Sequence, residues 1–339
     1  MIRVGIVGMG KMGLTHAAVL EVLSPGCVVG VVEAERGNHG TIRSLGLRAP
    51  VYSDLETLLS RHPLDAAIVC TPTFTHFALV KSLIERGVAV LIEKPLAQNL
   101  DACLALAKLA AESKAITAVG YSIDYDPLFC EARRLIAEGA LGRIKRYRAW
   151  VEHAEVFGPK KGWAFQKEKS GGGVIINPAP HMLFFLLEAF GLPRRLHATL
   201  RSPYSRTVED EAEVSLEHAS GCAGLLKASW SVPNKPALES SLYVEGEAGS
   251  MAVGDDEILL DAGGGVRRVH RADLPVEPAF ELSPPAHASN YYREDREFLE
   301  DVRLKRVPRN SIESTLKVDR LMDAIYRSGA SREAVSWNS

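Results

Sequence analysis

Short apolar runs alternate with helix-length amphipathic stretches from Ile2 to about Gly120, the pattern of β-α-β units feeding a parallel sheet. The runs are Ile2 to Val7, Cys27 to Glu33, Ala66 to Cys70, Ala89 to Ile92 and Ile116 to Val119. Helix punctuation agrees. Ser53 with Glu56 forms a capping box, Thr75 can cap a helix ending near Gly87, and Asn99 can cap the segment toward Lys114. Beyond Tyr121 the pattern changes to one helix, Leu128 to Glu138, followed by β-rich runs with few helices between them. These are Ile144 to Val151, Leu196 to Leu200, Ala212 to Glu217, Gly224 to Trp230 and Leu242 to Val244, and they predict a mostly antiparallel sheet in an α+β domain. Turns fall at Pro233 to Pro236, Gly246 to Gly249 and Gly263 to Gly265, and helices over Tyr291 to Leu304 and Glu313 to Arg327 close the chain. The expected architecture is α/β, with a doubly wound parallel sheet over residues 1–120 and an α+β domain with an open antiparallel sheet over residues 121–339.

The chain's 339 residues fit two domains at the usual ~150 each. Lys and Arg number 40 against 42 Asp and Glu, and no one-signed run is long enough to wrap a nucleic-acid backbone, so a polyanion-binding role is excluded. Five cysteines, odd in number and never spaced as C-x-x-C, argue against a disulfide framework and against a zinc cage; no metal is expected. No apolar stretch approaches the ~18 residues of a membrane span. Gly5, Gly8, Gly10 and Lys11 interrupt the first apolar run, so neither a signal peptide nor a membrane partner is expected, and a reducing cytoplasm fits best.

Candidate chemistry begins directly after the first strand. In GIVGMGKMG, Gly8, Gly10 and Gly13 fit G-x-G-x-x-G, and Lys11 and Met12 open a helix running to Val22. Such a turn needs glycine to bend tightly, to let the backbone approach a pyrophosphate and to pack the helix against the strand, while the helix N-terminus offers N–H groups to the anion. Glu33 closes the second strand, 20 residues after Gly13, where a carboxylate can accept hydrogen bonds from ribose hydroxyls. A negative charge there repels a 2′-phosphate and favours NAD, although Arg36 nearby leaves NADP open.

Further segments specify more. CTPTFTH at Cys70 to His76, EKP at Glu93 to Pro95, GYSIDYDP at Gly120 to Pro127, GGGVIINPAPH at Gly171 to His181 and SGASREAV near the carboxyl end, taken with the glycine turn, resemble the glucose-fructose oxidoreductase / inositol 2-dehydrogenase / MocA (Gfo/Idh/MocA) family over essentially the whole chain. The resemblance implies a Rossmann domain joined to a carboxyl-terminal domain whose open sheet often joins subunits, giving a homodimer or homotetramer. It implies hydride transfer between nicotinamide and a secondary alcohol of a sugar, nucleotide-sugar or cyclitol. By the same resemblance Thr71, Pro72, Thr73 and His76 line the cofactor side, Glu93 and Lys94 lie beneath nicotinamide and substrate, and His181 occupies the family's histidine slot.

Oxidising a carbinol requires the hydroxyl proton to leave as the hydride departs. A partly desolvated lysine facing a cationic nicotinamide has its pKa lowered, so Lys94 is the expected base or alkoxide donor. His181, able to exchange a proton near pH 7, is the second candidate. Many relatives carry Asp four residues before that histidine, where this chain has Asn177, which can orient a hydroxyl but holds no charge. Pro178 and Pro180 raise a structural alternative in which Asn177 is a helix N-cap with Pro178 at the first helical position. Phe184 stands where relatives are often acidic, and Asp124 with Tyr125 where they often have an Arg-aromatic pair, pointing to an unusual substrate preference. Trp163 with Lys160, Lys161, Lys167 and Lys169 forms either a cationic cover for the cleft or a solvated loop. Two rival functions remain at this level: a non-catalytic NAD-sensing regulator of the same fold, and a reductase of a non-sugar diol or imine.

Overall fold

The computed structural model describes residues 1–158, 162–274 and 285–337. The chain divides into two compact units, Met1–Tyr125 with Glu277–Lys317, and Asp126–Val276 with Val318–Ser339.

In the first unit β1 (Val4–Val7), β2 (Val28–Val32), β3 (Val51–Tyr52), β4 (Ala66–Val69), β5 (Ala89–Glu93) and β6 (Thr117–Gly120) form one parallel sheet in the order β3-β2-β1-β4-β5-β6. The order reverses between β1 and β4, which makes the carboxyl ends of those strands the switch point of a Rossmann sheet. β1, β4, β5 and β6 are buried at every position, so they appear as unbroken apolar runs and not as alternation. β3, two residues at the sheet edge, is too short to leave a pattern. Helices α1 (Lys11–Leu23), α2 (His39–Ser44), α3 (Leu55–Arg61), α4 (His76–Glu85) and α5 (Leu100–Ser113) lie between the strands in sequence. Asn99 caps α5, accepting the Ala102 N–H at 3.0 Å. Asp54, not Ser53, caps α3, its Oδ1 accepting from the Thr57 N–H at 2.7 Å. Thr75 holds the N-cap position of α4, but its side chain makes no cap bond there: a 3-10 turn over Thr73–Thr75 precedes the helix and the hydroxyl turns to Thr71 Oγ1 at 2.7 Å and the Pro72 carbonyl at 2.8 Å.

In the second unit α6 (Pro127–Ala137), α7 (Lys167–Ser170) and α8 (Pro180–Phe190) accompany a nine-stranded sheet. Its strands are β7 (Ile144–Glu152), β8 (Pro193–Arg201), β9 (Glu211–His218), β10 (Ala223–Ser229), β11 (Glu239–Gly246), β12 (Ser250–Val253), β13 (Glu257–Asp261), β14 (Val266–His270) and β15 (Val335–Ser336). They lie in the order β14-β13-β12-β11-β7-β10-β9-β8-β15, every pair antiparallel except β10 with β7. Alternating burial along β9 shows one packed face and one open face. Phe129 of α6 meets Phe185 of α8 edge-on at 5.0 Å, and Trp230 beneath the sheet packs on Phe165.

Two helices close the chain, α9 (Pro285–Leu304) and α10 (Ile312–Ser331). A single cut near residue 120 misses their destination. Residues Glu277–Lys317 return to the first unit, where Phe298 joins the cluster of Val4, Ile6, Leu20, Ile68 and Leu91, and α9 packs on α1. The apolar stripe of α9 is readable in the sequence; the partner it covers is not. Among the described residues no helix is long and apolar enough to cross a membrane, and all five cysteines are thiols.

Candidate active site

The glycine turn of the first unit meets each steric demand of a pyrophosphate cradle. Gly8 has φ +95°, and a Cβ on it would sit 2.8 Å from the Cys70 carbonyl oxygen. A Cβ on Gly13 would overlap the Gly8 carbonyl oxygen at 1.9 Å, whereas one on Gly10 would meet nothing within 4 Å. The outer glycines therefore close the turn against the β4 loop and the helix, and the middle one leaves an open approach to the backbone. Gly10 is the N-cap residue of α1 and no side chain caps that end, so the helix start at Lys11 and Met12 presents backbone donors to an anion. Half-buried Glu33 sits at the rim of the turn, its Oε2 accepting the Met9 N–H at 3.3 Å and its Oε1 the Glu35 N–H at 2.9 Å. These residues fit the diphosphate and ribose of a dinucleotide.

The β4 and β5 loops lie on the other side of the switch point. Thr71 and Pro72 follow β4 and Thr73 is buried beneath them. His76 is 1 % exposed, one ring nitrogen 2.8 Å from the Thr71 carbonyl and the other 3.0 Å from that of Pro95. Burial holds its pKa below the ordinary value, and the neutral ring, with a single N–H, donates to one of these two carbonyls and packs against the other. Glu93 ends β5, and Lys94, which precedes a cis Pro95, is partly buried. Desolvation lowers the Lys94 pKa, with the Glu93 carboxylate opposing.

Behind Glu93 lies a cluster that sequence reading missed. His16, on α1, is fully buried between two carboxylates, Nδ1 within 2.8 and 3.0 Å of the Asp295 oxygens and Nε2 3.2 Å from Glu93 Oε1. Acceptors at both ring nitrogens call for both N–H groups, hence the imidazolium. Burial opposes that charge, but Asp295 and Glu93 outweigh it and hold the ring's pKa well above the ordinary value. Among the described residues His16, Glu294 and Asp295 also form one group with the donor types of a metal site, their atoms within 4.8 Å of one another, although Asp295 already engages His16 Nδ1.

In the second unit the glycine run is a docking seat. A Cβ on Gly172 would fall 1.9 Å from the Tyr326 hydroxyl, and one on Gly173 1.9 Å from the Glu209 carbonyl oxygen. The buried Glu209 carboxylate gathers the segment: its Oε1 accepts the Gly173 N–H at 2.8 Å, the Ile175 N–H at 3.2 Å and the Tyr326 hydroxyl at 2.6 Å. This fixes the start of the stretch that carries Asn177 and His181. Asn177 is not an N-cap. It precedes a cis Pro178, the cap position belongs to Ala179, and the Ala179 N–H donates to the Val174 carbonyl at 3.1 Å. His181 is the second residue of α8; it is half-buried with its Nδ1 buried, and the next six residues of the helix are buried.

Two family patterns cover these units: one described as oxidoreductase family, NAD-binding Rossmann fold, matches residues 2–121, and the GFO/IDH/MocA C-terminal domain matches residues 129–252. The chain belongs to the Gfo/Idh/MocA oxidoreductases. The uncharacterized oxidoreductase YdgJ of Escherichia coli (strain K12) is 28% identical over 193 residues, 57% of this chain and 54% of that protein, so the match spans about half of that relative's length. The scyllo-inositol 2-dehydrogenase (NAD(+)) of Bacillus subtilis (strain 168) is 28% identical over 263 residues, 75% of this chain and 74% of that protein. Among solved structures, GenD2 from gentamicin A biosynthesis in complex with NAD is 26% identical with a TM-score of 0.83, covering 100% of this chain and 97% of that one.

Where this Gfo/Idh/MocA chain departs from its family's habits, packing supplies the reason. Phe184 is 3 % exposed, in the core of the second unit, where an acid would be stranded. Asp124 and Tyr125 form a knot inside the first unit: Arg309 lies 3.1 Å from Asp124 and stacks over the Tyr125 ring at 4.4 Å. Lys167 and Lys169 are exposed on α7, as in a solvated loop, and Trp163 is half-buried; Lys160 and Lys161 lie outside the described residues.

Proposed function

We propose that this protein is an NAD-dependent dehydrogenase/reductase that transfers a hydride to or from a secondary alcohol of a sugar, nucleotide-sugar or cyclitol. The observation that carries the reading is Lys94: a partly buried amine of lowered pKa, directly after the last residue of β5, in a Rossmann unit whose glycine turn fits a dinucleotide. The relative that acts on a cyclitol with NAD(+) supports the substrate class. When bound, the coenzyme supplies the redox carbon that accepts or gives the hydride. The chain supplies the rest. Gly8, Gly10, Lys11, Met12 and Gly13 hold the diphosphate, Glu33 the ribose hydroxyls, and Thr71, Pro72, Thr73 and Glu93 border the nicotinamide half, their loops fixed by His76. In oxidation, neutral Lys94 takes the hydroxyl proton; in reduction the ammonium returns it. His181 is the second proton-handling group, and Asn177 orients a substrate hydroxyl through its amide. The protein works in the cytoplasm, consistent with its five thiols, as a homodimer or homotetramer.

The test is NADH absorbance with NAD⁺ and a panel of polyols, sugars and nucleotide sugars. At least one member is expected to turn over, and Lys94→Ala is expected to slow it by about 10²–10⁴-fold with coenzyme binding kept. No turnover on any member despite intact coenzyme binding would overturn the assignment.

A further inference from the structure

Glu294 neighbours Asp295 on α9, yet the two carboxyls are held differently. Asp295 has His16. Glu294 is 2 % exposed, and neither of its oxygens has a hydrogen-bond partner, although its carboxyl lies within 4.8 Å of the donor atoms of His16 and Asp295. A buried carboxylate lacking donors is strongly disfavoured, so Glu294 is held as the neutral acid. Burial first, then the neighbouring anions Glu93, Asp295 and Asp124, push its pKa well up against the pull of His16.

The titratable and charged groups around it come from every packed element. They are His16 on α1, Cys70 after β4, Glu93 at the end of β5, Asp124 and Tyr125 after β6, and Tyr291 and Asp295 on α9, with Arg309 before α10 paired to Asp124. One imidazolium stands between two carboxylates, Asp295 and Glu93, leaving the His16 triad one net negative charge while Glu294 stays protonated. Ionising Glu294 adds a second, which the surroundings accept only if a cation arrives. Oxidised and reduced coenzymes differ by such a charge, carried on the nicotinamide ring, and Glu93 ends β5 on the half of the switch point opposite the ribose-binding Glu33.

We propose that Glu294 is a proton-carrying site linked to the charge of the coenzyme. Its carboxyl O–H breaks and the proton passes to solvent when NAD⁺ binds; with NADH, or with no coenzyme, the proton stays; no electrons move in this step. NAD⁺ therefore binds more tightly as pH rises and NADH does not. The inference rests on the coenzyme reading above.

The experiment is isothermal titration calorimetry of NAD⁺ and of NADH into the full chain, in two buffers of different ionisation enthalpy at one pH. The expected result is a release of roughly half to one proton per site with NAD⁺ and almost none with NADH. In Glu294→Gln the NAD⁺ heat becomes independent of buffer. Buffer-independent NAD⁺ binding by the natural protein overturns the inference and leaves the coenzyme reading standing, as does unchanged proton release in E294Q. No heat from either coenzyme overturns both. If E294Q does not fold, the infrared difference spectrum of the natural protein decides: the protonated-carboxyl band is lost with NAD⁺ relative to NADH, and an unchanged band refutes the assignment.

Discussion

Lys94 owes its proposed role to its surroundings, and the pH profile follows from them. Burial depresses its pKa and only the neutral amine accepts a proton, so kcat/KM for oxidation should rise with pH and level off below the ~10.5 of an ordinary lysine. Lys94→Arg keeps the charge but cannot shed its proton, so the plateau should vanish with a loss of about 10²–10⁴-fold, measured across pH 6 to 10. His16 makes the opposite prediction for stability. Its pKa is raised, so its contribution is complete below the unfolded value of ~6.5 and is lost as pH climbs through the higher folded value. The Tm advantage of the natural protein over His16→Gln should therefore shrink on the alkaline side. At Glu33, replacement by alanine removes charged hydrogen bonds worth ~1.5–3 kcal/mol, and NAD⁺ affinity measured by calorimetry should fall by about tenfold or more. The tight turn of Gly8, Gly10 and Gly13 was legible in the sequence because it is local backbone chemistry. His16 and Asp295 were not, being separated by 279 positions and unremarkable apart.

At the scale of elements, continuous apolar runs revealed the buried parallel strands, while β3, β12, β13, β14 and β15 escaped. β3 and β15 have two residues each, and β14 reads VRRVH with almost every position exposed, so neither length nor hydrophobicity betrays them. The caps show the same limit: Asn99 is read correctly, whereas the Ser53 box lies one position before the cap that α3 uses. The glycine run was legible as a motif but not as a seat, because its partners Glu209 and Tyr326 come from other elements. Its rigidity is measurable. Gly173→Ala forces a methyl onto the Glu209 backbone and should destabilise the protein by at least ~1–3 kcal/mol in urea unfolding. Glu209→Gln, which keeps the shape and removes the charge holding two N–H groups and a phenol, should lower stability by about 1–3 kcal/mol.

Across the whole molecule, fold class was legible because two distinct periodicities succeed each other near residue 120. The open face of the nine-stranded sheet carries Trp150, Thr199, Arg201, Glu213 and Lys227 around an open hollow of about 260 Å³. If that face joins copies of the chain, sedimentation should give a dimer or tetramer, and Trp150→Glu with Thr199→Arg should shift the mass toward the monomer. A protein that sediments as a monomer at all concentrations would refute the assembly. The passage of residues Glu277–Lys317 back to the first unit bears on biosynthesis. Phe298 and Asp295 are made long after the sheet they complete, so a nascent chain stalled after Gly120 lacks both a core side chain and the counter-ion of a buried imidazolium. The nucleotide-binding half leaves the ribosome well before the segment that completes it, and a chaperone that shelters emerging polypeptide has that unfinished sheet to guard.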